Sequence, residues 1–247
     1  MISFIVPAYN EENSIADSIY SINKAISAVK SIDKHEIIIV NDGSDDSTEK
    51  KILELQKKFI SVRHATNERN FGLGFSIRRG INLVKYDKFM LVPGDNAFSI
   101  ENIISQLKMS SNCDLVIPYP KNESERKKFR RILSKLYCAI FNLFFGLSIK
   151  YINGTTIYPT KKVKEMKLIS KGHGIISEIT TKLLYSEIKY CEVPIHARFP
   201  SRERAIKVKN LTDTIFIFIK LFFEIKIINR KNYLANSAKK IEFVENF

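Results

Sequence analysis

The sequence predicts an α/β fold in which a mostly parallel central sheet is flanked by helices. Three observations predict it. Short apolar runs alternate with stretches of helical period through the first half of the chain. The most unusual polar clusters fall directly after three of those runs, at Val6, Val40 and Val92, and ligands on parallel sheets bind at the carboxyl ends of strands. Finally, 247 residues with 45% hydrophobic content suffice for one large core.

The elements follow in order. Met1-Ile2-Ser3-Phe4-Ile5-Val6-Pro7 lacks a basic leader and a small-residue cleavage site, so it reads as a first buried strand, Ile2–Val6, and not as a signal peptide. Further strands are expected at Glu36–Val40, Val62–Ala65, Phe89–Val92 and Leu115–Ile117. Helices are expected between them, near Asn13–Ile32, Ser47–Phe59, Gly74–Lys85 and Ile100–Met109. Asp46, with Glu49 three residues on, resembles a capping box for the second helix. Repeated strand–helix–strand units place helices on both sheet faces. After about Pro118 the pattern changes. A charge-dense run, Lys121 to Lys135, leads into the apolar stretch Ile132–Ile149. A turn at Asn153-Gly154, a helix near Ile176–Tyr185, a strand at Tyr190–Ile195 and a second basic loop with Arg198, Arg202, Arg204 and Lys207 follow. A second apolar stretch, Leu211–Ile228, precedes a basic tail from about Asn229 that reads as loosely held.

Neither apolar stretch is clean enough to span a bilayer, since both carry polar or charged residues. They read as amphipathic helices lying in a lipid interface with basic residues beside them, or else as ordinary core helices. The division expected is a main domain over residues 1–210, falling into halves at 1–118 and 119–210, and an amphipathic helix and tail at 211–247.

A net charge of +14 and a pI near 9.6 point to an anionic partner without choosing among phosphate, nucleic acid and acidic membrane. No helix-turn-helix, zinc-finger or RNA-recognition signature supports nucleic acid. Cys113, Cys138 and Cys191 are too scattered for a disulfide framework or a zinc site, which fits a reducing interior.

The chemistry-bearing residues begin with Val6-Pro7-Ala8-Tyr9-Asn10-Glu11-Glu12 and Val40-Asn41-Asp42-Gly43-Ser44-Asp45-Asp46-Ser47-Thr48. A carboxylate at each strand end can accept hydrogen bonds from a base or ribose, and Tyr9 can stack beside it. Gly43 permits the tight exit into the next helix. Singly, each cluster is also a turn or a helix cap. Together with Asn67–Gly80 (NERNFGLGFSIRRG), these segments resemble the nucleotide-binding signatures of family 2 glycosyltransferases of the GT-A fold, and above all their dolichol-phosphate mannose synthase-like, polyprenyl-phosphate branch. The resemblance covers roughly residues 1 to 207. It implies that Pro7, Tyr9, Glu11 and Asp42 contact the nucleoside, with Asn70 and Gly74 near the nucleotide.

The family's Asp-x-Asp pair falls here on Val92-Pro93-Gly94-Asp95-Asn96-Ala97, where Asp95 matches the second carboxylate and Pro93 stands at the first. Asp95 is thereby the implied catalytic and metal residue, for Mg2+ or Mn2+ held largely by diphosphate and water, with Asn96 able to add an oxygen. Glu178 is the candidate general base for a hydroxyl acceptor. The resemblance assigns an acceptor phosphate to Arg126, Arg130, Arg131 and Ser134, and to Arg198 and Arg202 after the strand ending Glu192-Val193-Pro194-Ile195. The family's Gly-x-Ser-Lys element and its Ser-Gly-Phe-Arg-like segment are not reproduced at Arg202–Lys207 and Asn153–Thr156.

The function these features imply is an inverting, metal-assisted glycosyltransferase at the cytoplasmic face of a membrane. It would move a sugar from a nucleotide diphosphate sugar to a polyprenyl or other lipid phosphate, with no nucleic-acid partner. Transfer to a glycan or glycolipid hydroxyl in cell-surface polysaccharide synthesis is the alternative within the class. A non-catalytic nucleotide- or nucleic-acid-binding protein is the alternative outside it.

Overall fold

The structure, a computed structural model, describes residues 1–198, 208–234 and 237–243. Its strands are β1 (Ile2–Ala8), β2 (His35–Asn41), β3 (Val62–Thr66), β4 (Lys88–Leu91), β5 (Leu115–Pro120), β6 (Ile157–Pro159), β7 (Lys189–Ile195) and β8 (Lys239–Lys240). They form one eight-stranded sheet in the order β3-β2-β1-β4-β6-β5-β7-β8. Every pairing is parallel except those of β6, which runs antiparallel to both β4 and β5. Because β6 reverses twice, β5 and β7 point the same way as β1 and β4. The carboxyl ends of β1, β2, β4, β5 and β7 therefore share one rim of the sheet.

Helices α1 (Ile15–Ala28), α2 (Thr48–Lys58), α3 (Leu73–Leu83) and α4 (Ile100–Met109) lie where the helical period places them, with frayed ends trimmed. The sheet alternates strictly between two cores. Phe4 and Val6 of β1, with Ile37 and Ile39 of β2, pack into one that includes Ile19 and Ile22 of α1 and Ile103 of α4. Ile5, Ile38 and Val40 turn to the opposite core, with Ile77 and Ile81 of α3.

The second half holds α5 (Lys128–Phe145), α6 (Thr160–Lys164), α7 (Ile175–Leu184), α8 (Val208–Phe222) with a π-helical turn at Phe223–Ile228, and α9 (Arg230–Leu234). Each of the two apolar stretches has one buried apolar face and one outward apolar face. On α5, Cys138, Phe141 and Phe145 are buried, while Phe129, Ile132, Leu136 and Leu143 face outward. On α8 and its π turn, Ile217, Leu221 and Ile225 are buried, while Ile215, Phe216, Ile219 and Phe223 are exposed. Phe141, Phe144 and Phe145 stack edge-on against Phe218, joining the two helices into one outer layer. No helix among the described residues is long and apolar enough to cross a membrane.

Two expectations are corrected, and one strand was not expected. The capping box does not form: Glu49 turns back to Asn41 and to Thr66 Oγ1 at 2.9 Å, while Asp46 Oδ1 caps alone by accepting Thr48 N–H at 2.9 Å. The tail is not loose over its described part. It contributes α9 and the edge strand β8, tied by Ala238 N–H to Leu184 O at 3.0 Å and Ile241 N–H to Tyr190 O at 2.8 Å. Strand β6 was not foreseen, because three residues are too few to show a period of two.

Candidate active site

Strand order reverses between β1 and β4: β2 and β3 lie to one side of β1, and β4 begins the other. Such a switch point opens a crevice at the carboxyl rim. The loops after β1, β2 and β4, carrying Glu11, Asp42 and Asp95, leave from these adjacent strands.

The first two loops are laced together. Asn10 N–H donates to Ser44 Oγ at 3.0 Å, Glu11 N–H to Thr48 Oγ1 at 2.8 Å and Glu12 N–H to Asp46 Oδ2 at 3.3 Å. In return Asp45 N–H donates to Asn10 Oδ1 and Ser47 N–H to Glu12 Oε2. Asn41 Oδ1 closes the turn by accepting from Ser44 N–H at 3.1 Å. Asn10 and Asn96 are the positive-φ non-glycine residues among those described, at 56° and 53°, and they sit in the first and third site loops. Asn tolerates that left-handed region better than other branched or bulky side chains.

The third loop is held by Ser18, a buried residue of α1 that helical period alone does not mark as a site residue. Its Oγ lies 3.2 Å from Pro93 O and 3.0 Å from Gly94 O, and accepts Asn96 N–H at 2.9 Å. Gly94 packs closely there: a Cβ would meet Pro7 O at 3.0 Å and Ala8 Cβ at 3.2 Å, so the β1 end would have to give by a few tenths of an ångström. Asp95 stands exposed at the tip, its Oδ1 accepting Ala97 N–H at 3.1 Å. Among the described residues no group of three or more His, Cys, Asp or Glu side chains could hold a metal.

Asp42 is buried, and its carboxylate is engaged by the protein. Oδ1 accepts from Asn67 Nδ2 at 2.7 Å and Phe71 N–H at 3.1 Å, and Oδ2 from Gly72 N–H at 2.8 Å. It thus fixes the β3–α3 loop, which bears the third motif, against the second. Asn67 is the partner the motif pattern did not single out. Pro7 and Tyr9 are half-buried along the end of β1, and Glu11 is half-buried with Ser14 Oγ donating to its Oε2 at 2.7 Å. Asn70 is exposed on the β3–α3 loop. Gly74 is covered by chain: a Cβ would meet Lys171 C at 2.5 Å and Gly172 N at 2.8 Å.

Glu178 is placed away from solvent. It is 0% exposed, accepts Ile169 N–H at 2.9 Å and Ser170 N–H at 2.8 Å, and pairs with Lys182 Nζ at 3.2 Å. Lys182, 2% exposed, also meets Glu224 of the π turn at 3.0 Å and Lys167 O at 2.8 Å. Both oxygens of Glu178 are thereby committed to holding the 169–172 loop over α3. This arrangement does not suit proton abstraction, the role expected of Glu178.

The basic segments leave from the same rim. Arg126, Arg130 and Arg131 are half-buried between β5 and the first turn of α5, with Ser134 half-buried one turn on, and Arg131 Nη1 reaches Ser124 O at 3.4 Å. Arg198 follows β7 and approaches the third loop, Nη1 to Asn96 O at 3.5 Å. Arg202 lies outside the described residues.

A switch point carrying this rim defines a GT-A glycosyltransferase fold. Glucosyl-3-phosphoglycerate synthase from Mycobacterium tuberculosis, solved in complex with Mn2+, uridine-diphosphate-glucose and phosphoglyceric acid, superimposes with a TM-score of 0.62 at 15% identity, over 91% of this chain and 79% of that one. The chain belongs to glycosyl transferase family 2, whose sequence profile matches residues 3–165. Curated relatives include a dolichyl-phosphate beta-glucosyltransferase of Trichomonas vaginalis, 29% identical over 55% of this chain and 44% of that protein. A dodecaprenyl-phosphate galacturonate synthase of Rhizobium johnstonii is 26% identical over 71% of this chain and 52% of the relative. The chain thus spans about half the length of these relatives.

Proposed function

We propose that this glycosyltransferase moves one sugar from a nucleotide diphosphate sugar to a lipid phosphate at a membrane surface, with inversion at the anomeric carbon. The observation that carries the reading is the shared rim. The switch-point crevice, the Arg126–Arg131 segment and Arg198 open on one edge of the sheet, and α5 runs from that edge with an outward apolar stripe. Exposed Phe129, Ile132, Leu136 and Leu143 on α5, with Phe216, Ile219 and Phe223 beside them, suit the acyl boundary. Exposed Lys127, Lys128 and Lys135 suit anionic headgroups. The names of the curated relatives, which are dolichyl- and dodecaprenyl-phosphate transferases, support the same acceptor chemistry.

In this reading the bond from the anomeric carbon to the β-phosphate oxygen breaks as an acceptor phosphate oxygen bonds to the opposite face. The donor leaves as nucleoside diphosphate, and no proton needs to move. A phosphate is already anionic, so positioning by Arg126, Arg130, Arg131 and Ser134 suffices. A hydroxyl acceptor would need a base, and the buried, ion-paired Glu178 makes a poor one. Pro7, Tyr9, Glu11, Asn70 and the loop anchored by Asp42 would enclose the nucleoside end. Asp95, with the Asn96 side-chain oxygen, offers hard oxygen donors that fit Mg2+ or Mn2+ shared with diphosphate and water. When bound, the ion would neutralise charge growing on the leaving group.

The test supplies purified protein with a panel of UDP- and GDP-sugars, Mn2+ and dolichyl or undecaprenyl phosphate in bicelles, and reads released nucleoside diphosphate. Release with one donor that requires the lipid phosphate is expected. Equal release with the matching lipid alcohol, or none across the panel, refutes the acceptor assignment.

A further inference from the structure

Past β7 the chain runs through His196 and Ala197 to Arg198, and two buried asparagines hold that exit. Asn102 of α4, 3% exposed, donates Nδ2 to His196 O at 2.8 Å and accepts His196 N–H on Oδ1 at 3.1 Å. Asn122, beyond β5 and 8% exposed, treats the next residue the same way: Nδ2 to Ala197 O at 2.9 Å, and Ala197 N–H to Oδ1 at 2.9 Å. Each carboxamide satisfies both backbone groups of one residue, as a neighbouring strand would. Consecutive residues are gripped by side chains from different elements, which leaves the backbone little freedom before Arg198. Asn122 Nδ2 is itself oriented by Glu125 Oε2 at 2.8 Å.

The direction so fixed leads to the third site loop. Arg198 Nη1 lies 3.5 Å from Asn96 O, next to Asp95. That distance is the outer limit of a hydrogen bond, and the guanidinium also lies within electrostatic reach of Glu101 in the first turn of α4, which balances part of its charge and leaves the rest for a ligand. A guanidinium there can take a phosphate oxygen pair in its planar fork, and a fixed cation beside a departing diphosphate lowers the barrier to its departure. The sequence grouped Arg198 with the acceptor-phosphate residues; the loop it approaches is the one that carries the metal-motif carboxylate.

We propose that Arg198 faces the donor diphosphate as a leaving-group residue, and that Asn102 and Asn122 are positioning residues that set it there. This rests on the donor-site reading above.

The experiment measures binding of UDP, UMP, GDP and GMP to the full chain by calorimetry in Mn2+. It compares wild type with R198A, R198K, Asn122→Gln and Asn102→Gln, and follows the thermal unfolding of each. The expected result is that R198A weakens the preferred diphosphate about tenfold while leaving the matching monophosphate within about twofold, since a charge-assisted hydrogen bond is lost at one phosphate only. R198K recovers part of the loss. Each asparagine variant shows the same diphosphate-selective loss, and adding R198A to it brings little more. Equal losses for diphosphate and monophosphate in the asparagine variants would mean that the clamp only supports the fold, and overturn their role. Unchanged diphosphate affinity in the well-folded R198A protein overturns the assignment of Arg198 while leaving the donor site standing. Wild-type protein that binds no nucleotide removes the donor-site reading and this inference together.

Discussion

Asp42 and Glu178 are both acidic and both embedded among hydrogen-bond donors, so each does its work by holding a loop. Replacing Asp42 by Ala strands the donors Asn67 Nδ2, Phe71 N–H and Gly72 N–H. Hydrogen bonds to charged groups are worth about 1.5–3 kcal/mol each, and the site relaxes in part, so a loss of about 3 kcal/mol is expected from urea unfolding. Asp42→Asn, which keeps one acceptor oxygen, should cost about half of that. Glu178→Gln leaves Lys182 with one carboxylate, Glu224, beside Lys167 O in a buried site and should cost about 3 kcal/mol. Turnover of this variant, measured at a temperature where it stays folded, should keep its pH profile; loss of one limb of that profile would restore Glu178 as the base. The sequence signalled Asp42 by its place after a strand. The donors around it come from 25 to 30 residues away, so nothing local separated a ligand-facing carboxylate from a loop-holding one.

At the scale of elements, the site is a set of loops laced to one another, and the lacing is partly titratable. Burial alone would raise the pKa of Asp46, but hydrogen bonds from the Thr48 side chain and backbone and from Glu12 N–H outweigh it and hold the pKa below its ordinary 3.8. A carboxylate whose pKa is depressed by folding contributes stability that is present above 3.8 and lost as pH falls through the lowered value. Asp46→Asn should therefore lower stability near neutrality and flatten the acid limb of the stability curve between about pH 4 and 2; an unchanged limb would show that Asp46 contributes nothing to it. Gly74→Ala tests the other junction. Its Cβ would press on the backbone of Lys171 and Gly172, so the 171–172 loop must lift from α3. A cost of about 1–3 kcal/mol is expected, along with faster amide exchange confined to residues 169–175. Such a glycine reads as a helix entry in sequence, since the chain that covers it arrives about a hundred residues later.

For the molecule as a whole, the proposed membrane surface combines a charge of +14 with the outward apolar faces of α5 and α8. Binding to vesicles containing anionic lipid should weaken steeply as salt rises from about 0.1 to 0.5 M, where the screening length shortens from about 10 Å to less than half of that. Leu136→Glu combined with Ile219→Glu replaces two exposed apolar side chains, 54% and 48% accessible, so folding should be retained while vesicle binding falls by tenfold or more. Retention of binding by the well-folded double variant would assign the stripe to another partner.

Local patterns determined strands β1 to β5 and β7, the first four helices and the ends of strands where carboxylates gather, because a period of two or 3.6 and the breaks between periods are properties of neighbouring residues. The two apolar stretches were legible as amphipathic but not as to which side of each meets the core; that depends on Phe218 packing against Phe141, Phe144 and Phe145 across the gap between α5 and α8. Tertiary structure alone decided that β6 turns β5 and β7 to share the rim of β1 and β4, that Ser18 carries the third loop, and that Asn102 and Asn122 grip His196 and Ala197. Each of these depends on groups brought together from dozens of residues apart, a distance at which a chain carries no local record of its partners.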